Sequence, residues 1–254
     1  MTKSARYVLM VRAITIAAFC MAILPTEARP AERGDRHAQA PALSPVKPAA
    51  IYHGSRRTPL VALTFDACER INEKTGYDRR IIDILTRTRT PATFFLGGRW
   101  MLSHPEETRE LARVPFFELA NHSYSHPDMR ALGDAALRYE IQETQNIMHR
   151  IAGRQGTLFR APFGWYNKRL VAAAGALGLR LIQWDVVSGD PDPRVSAAMI
   201  RRFVLGGARF GSIAIMHVNG RGHHTHAALP GIIDELRRRG FRFVTVSELL
   251  SVAP

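Results

Sequence analysis

Short apolar runs ending in a polar residue recur along this chain, separated by stretches with helical spacing. No other feature limits the fold as tightly. Leu60-Val61-Ala62-Leu63-Thr64-Phe65-Asp66 reads as a strand buried on both faces that terminates in an acid. From Asp78 to Thr88, Ile81, Ile82, Ile84 and Leu85 recur at helical spacing. Further strands are expected at Ala92–Leu96, Phe116–Ala120, Thr157–Arg160, Leu179–Val187, Ser212–His217 and Phe241–Val246. Helices are expected near Pro105–Arg113, Asp134–Ile151, Lys168–Leu177, Ser196–Leu205 and Ala227–Arg239, with Gly153 near the C-terminal end of the longest. About seven strand–helix units without a fixed repeat predict a parallel α/β protein.

The polar residues choose between a barrel and an open sheet. Asp66, His122, Arg160, Asp185 and His217 each fall at or just past the end of a different expected strand. In a (β/α) barrel those ends converge on one face, where active sites lie. An open doubly wound sheet would spread them along a row. Five candidates on five strands favour a closed or nearly closed barrel.

The 254 residues, 46% of them hydrophobic, suffice for one large domain or two small ones. The net charge of +13 suits an anionic partner, although only 4 of the 35 basic residues are lysine, which points to a compositional habit. No run of about 18 uncharged apolar residues exists, so no ordinary membrane span is expected. Lys3, Arg6 and Arg12 precede a largely apolar run from Ala13 to Leu24, and Pro25-Thr26-Glu27-Ala28 follows. This order predicts a signal peptide over 1–28, hence secretion to the periplasm or the exterior. Cys20 would leave with it, so Cys68 stays as a single thiol. Residues 29–50, rich in Pro, Ala and mixed charge, read as a flexible linker. The folded domain is expected over 51–254, where 28 basic residues against 19 acidic ones leave +9. Nucleic-acid binding has charge in its favour but no binding motif.

Five segments carry chemistry. Asn121-His122-Ser123-Tyr124-Ser125-His126 places two histidines four apart, a spacing that on a helical turn lets both reach one metal. Thr64-Phe65-Asp66-Ala67-Cys68 delivers an acid that must be paired or exposed in a cleft. Phe159-Arg160-Ala161-Pro162-Phe163-Gly164 brings an arginine able to grip a carboxylate with two hydrogen bonds. Trp184-Asp185-Val186-Val187-Ser188-Gly189-Asp190 supplies further acids, and Ile213-Ala214-Ile215-Met216-His217 is a buried strand delivering one histidine. After it, Asn219-Gly220-Arg221-Gly222-His223-His224-Thr225-His226 reads as a tight loop. Its histidines would add a metal ligand or bind sugar, and Thr225 would cap the next helix.

In this order the motifs resemble those of the polysaccharide deacetylases, carbohydrate esterase family four, over about Leu60 to Leu250. The resemblance implies a distorted, incomplete (β/α) barrel of about seven parallel strands. It also implies hydrolysis of acetyl groups, N-acetyl foremost, on an amino sugar polysaccharide or cell-wall glycan. Asp66 matches the base that activates the attacking water, and His122 and His126 match two ligands of a divalent metal, zinc foremost. Arg160 matches the residue that orients the base. His217 matches the acid that protonates the leaving amine, and Asp190, or less closely Asp185, matches its tuning carboxylate. Phe163, Trp165, Trp184 and Asn219 are candidate substrate contacts. The family usually has a second Asp beside the base as a metal ligand, and Ala67 stands here. Either Glu69, Cys68 or a downstream histidine replaces it, or Asp66 itself binds the metal, or the site is weaker or lost. A secreted subgroup with the same Thr-Phe-Asp-Ala-Cys text is similar. The alternatives are a non-catalytic carbohydrate-binding protein on this fold and a metal-independent amidohydrolase.

Overall fold

A computed structural model describes residues 49–252. The expected signal peptide and all but the end of the linker lie outside these residues. The elements in chain order are β1 (Leu60–Ala67), α1 (Arg79–Arg87), β2 (Ala92–Leu96), α2 (Gly98–Ser103), α3 (Pro105–Arg113), β3 (Phe117–Asn121), α4 (Asp134–Ala152) and β4 (Leu158–Phe159). They continue with α5 (Lys168–Ala176), β5 (Arg180–Leu181), β6 (Val186–Val187), α6 (Ala197–Gly207), β7 (Ser212–His217), α7 (Thr225–Arg238), β8 (Arg242–Phe243) and α8 (Val246–Ser251). Seven parallel strands run β5-β4-β3-β2-β1-β7-β6, and β8 pairs with the start of β1. The sheet is curled, and because its order has two ends the barrel is incomplete. Ile51 bridges to Ile182 beyond β5, and His53 bridges to Ser212 on β7.

Strand alternation builds two cores from one strand. Along β1, Val61, Leu63, Phe65 and Ala67 join a cluster with helix residues such as Ile81, Leu85, Leu111, Val204 and Ile232. Leu60 and Ala62 face the barrel interior with Phe95, Leu158 and Ile213. Thr64 and Asp66 share that phase and bring polar groups into the interior. At the other end α8 places Val246 and Leu249 in the same inner cluster and plugs the barrel.

Local chemistry places the helix ends. Asp78, Asn167 and Ser196 accept hydrogen bonds from the first turns of α1, α5 and α6. Pro105 opens α3, and Gly153, at φ +71°, closes α4. Among the described residues no helix is long and apolar enough to cross a membrane.

Two expectations fail in detail, and one element has no counterpart among them. The single strand over 179–187 is two short pieces, because Ile51 takes up the backbone between them: Ile51 N donates to Leu181 O and Gln183 N donates to Ile51 O. The expected strand over 241–246 shrinks to β8, because Thr245 and Glu248 form a reciprocal capping box that starts α8. Helix α2 was not anticipated; Gly98 and Arg99 donate to Ser123 O and Tyr124 O, which turns the chain directly after β2.

Leu63 is fully buried at the centre of the sheet, whereas Leu102 is half exposed. Leu63→Ala is expected to lower unfolding free energy by about 2–5 kcal/mol. Leu102→Ala should stay within about 0.5 kcal/mol of the wild type in the same urea titration.

Candidate active site

The C-terminal strand ends surround a cleft of about 270 Å³ lined by Asp66, Cys68, His122, His126, Asp190 and His217, among others. Asp66 and His217 are register partners on adjacent strands β1 and β7. At the floor, Arg160 is wholly buried and donates through Nη1 to Asp66 Oδ1 at 2.6 Å and to Thr64 Oγ1 at 2.9 Å. Its guanidinium lies 3.9 Å from the ring centre of Phe95. Burial raises the pKa of Asp66, but the charge and hydrogen bond of Arg160, helped by His122 and His217, overcome it. The net shift is downward, and the carboxylate stays ionised.

At His217 burial is likewise outweighed, with the pKa shifted upward. Burial pushes its pKa down, and the hydrogen bond and charge of Asp190 push it further up, so the ring holds its proton above the ordinary histidine value. Its Nδ1 lies 2.9 Å from Asp190 Oδ1, which leaves Nε2 for the cleft. Asp190 also accepts from His217 N, Ser188 Oγ and Thr225 Oγ1. Four donors on one buried carboxylate fix its position. An ionised carboxylate beside a protonated imidazole can take a proton from one reactant and give one to another.

The histidine pair does not sit on a helical turn. Ser123 and His126 have φ of +65° and +57°, so the segment after β3 is an irregular loop. Its order comes from side chains: Asn121 Oδ1 accepts from Ser123 N, and the buried Glu140 accepts from Tyr124 N, Ser125 N and Ser125 Oγ at 2.6–2.8 Å. His122 Nδ1 donates to Arg160 O at 2.9 Å, so its Nε2 keeps a free lone pair, 3.6 Å from Asp66 Oδ2. Burial lowers the pKa of both rings, that of His126 to about 3. His126 Nδ1 is buried with no hydrogen-bond partner. Ligand atoms of Cys68, His122 and His126 all lie within 4.8 Å of one another. Two neutral imidazoles, one with an orphaned nitrogen, next to a thiol make a donor set that fits a divalent cation. Without a cation, burial and the charge of Asp66 push the Cys68 thiol up to about 12.

Several candidates fall elsewhere. Asp185 bonds Arg56, Ser212 Oγ and Ile213 N, away from His217. Glu69 accepts from Ser103 Oγ, and His226 faces Asp78 at 3.4 Å. Thr225 is the first residue of α7 and does not cap it; its hydroxyl serves Asp190. Asn219, a candidate substrate contact, is 1% exposed because its amide donates to Cys68 O. Trp184 and Phe163 line the cleft. Phe163, at φ +60°, packs on His126 with ring centres 4.5 Å apart, and Trp165 lies tilted against Phe163 at the exposed rim. Gly164 permits this turn; a Cβ there would stand 2.6 Å from Trp184. Glu140, Thr64 and Ser188 were missed, since a lone polar residue in an amphipathic or apolar run carries no sign of its partner.

A family profile described as Polysaccharide deacetylase matches residues 53–182. A Bacillus cereus protein named peptidoglycan-N-acetylglucosamine deacetylase is 31% identical over 76% of this chain and 69% of its own length. Other curated relatives are longer, and the chain spans 31–38% of several. A crystal structure of the Bc1960 peptidoglycan N-acetylglucosamine deacetylase superposes with a TM-score of 0.74 at 29% identity, over 81% of this chain and 94% of that one. A Bacillus anthracis protein described as a family-four pseudoenzyme superposes with a TM-score of 0.73 at 27% identity, over 80% of this chain and 69% of that one. With half the chain matched by the family profile and relatives of this kind, the chain belongs to the polysaccharide deacetylase family of hydrolases, carbohydrate esterase family four.

Proposed function

We propose that the protein is a metal-assisted hydrolase that removes acetyl groups, N-acetyl foremost, from an amino sugar polysaccharide or cell-wall glycan. The observation that carries this reading is the cross-strand pair of Asp66, held by Arg160, and His217, held by Asp190, in one cleft. The names of its relatives, peptidoglycan-N-acetylglucosamine deacetylases and a bifunctional xylanase/deacetylase, support the substrate class. The basic folded domain suits an anionic cell-wall polymer. Residues 1–28 act as the signal peptide and 29–50 as a linker to the catalytic domain over 51–254. This delivers the enzyme to the periplasm or the exterior.

His122 and His126 would hold the divalent cation, zinc foremost, which imidazole donors suit. When bound there, the cation polarises a carbonyl and lowers the pKa of water. Asp66 receives the proton of the attacking water at Oδ2, the oxygen that Arg160 leaves free. As the amide C–N bond breaks, His217 gives its Nε2 proton to the nitrogen, and Asp190 steadies the ring through Nδ1. Acetate and a free amine leave. Phe163, Trp165 and Trp184 offer apolar faces to a sugar ring or the acetyl methyl.

A second reading, a glycan-binding protein without catalysis, draws on Ala67 and on the likeness to a pseudoenzyme. Acetate release separates the two. The purified protein should release acetate from N-acetylated glycan oligosaccharides, lose this on chelation and regain it with zinc. Asp66→Asn should lower kcat by about 10²–10⁴-fold. No acetate from any acetylated glycan, with metal supplied, would leave the binding reading; chelator-resistant release would favour a metal-independent amidohydrolase.

The imidazole makes a separate prediction. By nitrogen NMR His217 should titrate above 6.5, and Asp190→Asn should lower its pKa, because burial is then opposed only by the charge of Asp66, which Arg160 counters. A raised folded pKa means that its contribution to stability is complete below the ordinary value. That contribution fades as pH rises through the folded one. A wild-type ring that titrates below 6.5 would contradict the proposed acid.

A further inference from the structure

The proposed chemistry leaves one buried reactive group in the cleft without a task. Cys68 is 4% exposed, directly after β1, and its Sγ stands within 4.8 Å of donor nitrogens of both His122 and His126. Strand parity explains the placement. Side chains alternate along β1, so Ala67 packs among the helix-side residues, and Cys68 falls back into the phase of Asp66, toward the cleft. The position that lacks a carboxylate therefore has a thiol one residue later, on the side where the histidines are. A second observation is independent of the cysteine: His126 is 8% exposed, and its Nδ1 is buried without a hydrogen-bond partner. Asn219 fixes the cysteine, its amide donating to Cys68 O at 2.7 Å and lying 3.7 Å from Sγ, within reach to support a negative sulfur. Glu69 accepts from Ser103 Oγ, and among the described residues neither it nor His226 joins the group of ligand atoms that Cys68 forms with the two histidines.

We propose that the Cys68 thiolate is the third protein ligand of the cation held by His122 and His126, so that this chain binds its metal through one sulfur and two imidazoles. The inference rests on the reading that the histidine pair holds a cation. On binding, the S–H proton passes to solvent and a sulfur lone pair forms the bond to the metal. A tetrahedral ion with bonds of about 2.0–2.3 Å seats such donors ~3.5 Å apart, so donor atoms that lie within 4.8 Å of one another must approach by up to about 1.3 Å. A thiolate in the set selects thiophilic cations, zinc, cobalt and cadmium, over magnesium and manganese.

The test titrates the metal-free full chain with cobalt(II) and reads the absorption spectrum. Thiolate ligation gives an intense near-ultraviolet sulfur-to-cobalt charge-transfer band that saturates at one equivalent. Cys68→Ser should abolish this band and weaken cobalt binding at least about tenfold, while circular dichroism reports an intact fold. Zinc-edge X-ray absorption on the wild type reads the same bond without a variant, as a sulfur scatterer at about 2.3 Å. Cobalt bound with no charge-transfer band, or a band that survives Cys68→Ser, would overturn Cys68 as a ligand and leave the histidine pair standing. A wild type that binds neither cobalt nor zinc would overturn the cation site altogether.

Discussion

The ion pair between Arg160 and Asp66 at the floor of the cleft is the contact around which the rest is arranged. Both side chains are almost fully withdrawn from water, and the N···O distance is 2.6 Å. Removing one partner of such a pair typically costs about 3–5 kcal/mol, because the other is left as an unpaired buried charge. The barrel meets this demand with polar groups rather than solvent. Thr64 Oγ1 and Gln183 O take further guanidinium protons, and the faces of Phe95 and Trp184 lie against the cation. Arg160 O in turn receives His122 Nδ1–H, so the arginine that holds the carboxylate also sets the tautomer of a histidine.

A similar arrangement repeats around the cleft. Asp190 gathers four donors and holds the ring of His217, and Glu140 gathers three and holds the loop that bears His122 and His126. Each reactive side chain thus leans on a buried carboxylate or guanidinium from another element. That explains how residues on irregular loops, two of them at positive φ, keep a defined geometry. Both members of the cross-strand pair are tuned toward their charged forms, Asp66 by Arg160, which lowers its pKa, and His217 by Asp190, which raises its pKa.

What could be read from the amino-acid order follows from periodicity. Strands β1, β2 and β7 and helices α3 and α4 are legible to within about two residues, since each is a long apolar run or a clear amphipathic face. Elements β5, β6 and β8 are two residues long and depend on partners distant in sequence, so no local pattern marks their limits. The same division holds in the cleft. Asp66, Arg160 and His217 end recognisable strands, and the structure brings them together with His122, His126 and Asp190. Spacing alone suggested a helical turn for the histidines, whereas Glu140 and Asn121 impose a loop. The turn of Asn219 onto Cys68 and of Thr225 onto Asp190 could not be read, because a polar residue in a glycine-rich loop names no partner.

The central physical claim is that attraction to Arg160 outweighs burial at Asp66. Carbon-13 NMR of the Asp66 carboxyl during an acid titration tests it most directly. The account predicts that Asp66 stays ionised below its ordinary value of 3.8, so that the stability it contributes persists above that pH and is lost only as pH falls through the lower folded value. An Asp66 carboxyl that takes up its proton above 3.8 in the folded protein would mean that burial prevails, and would contradict the account.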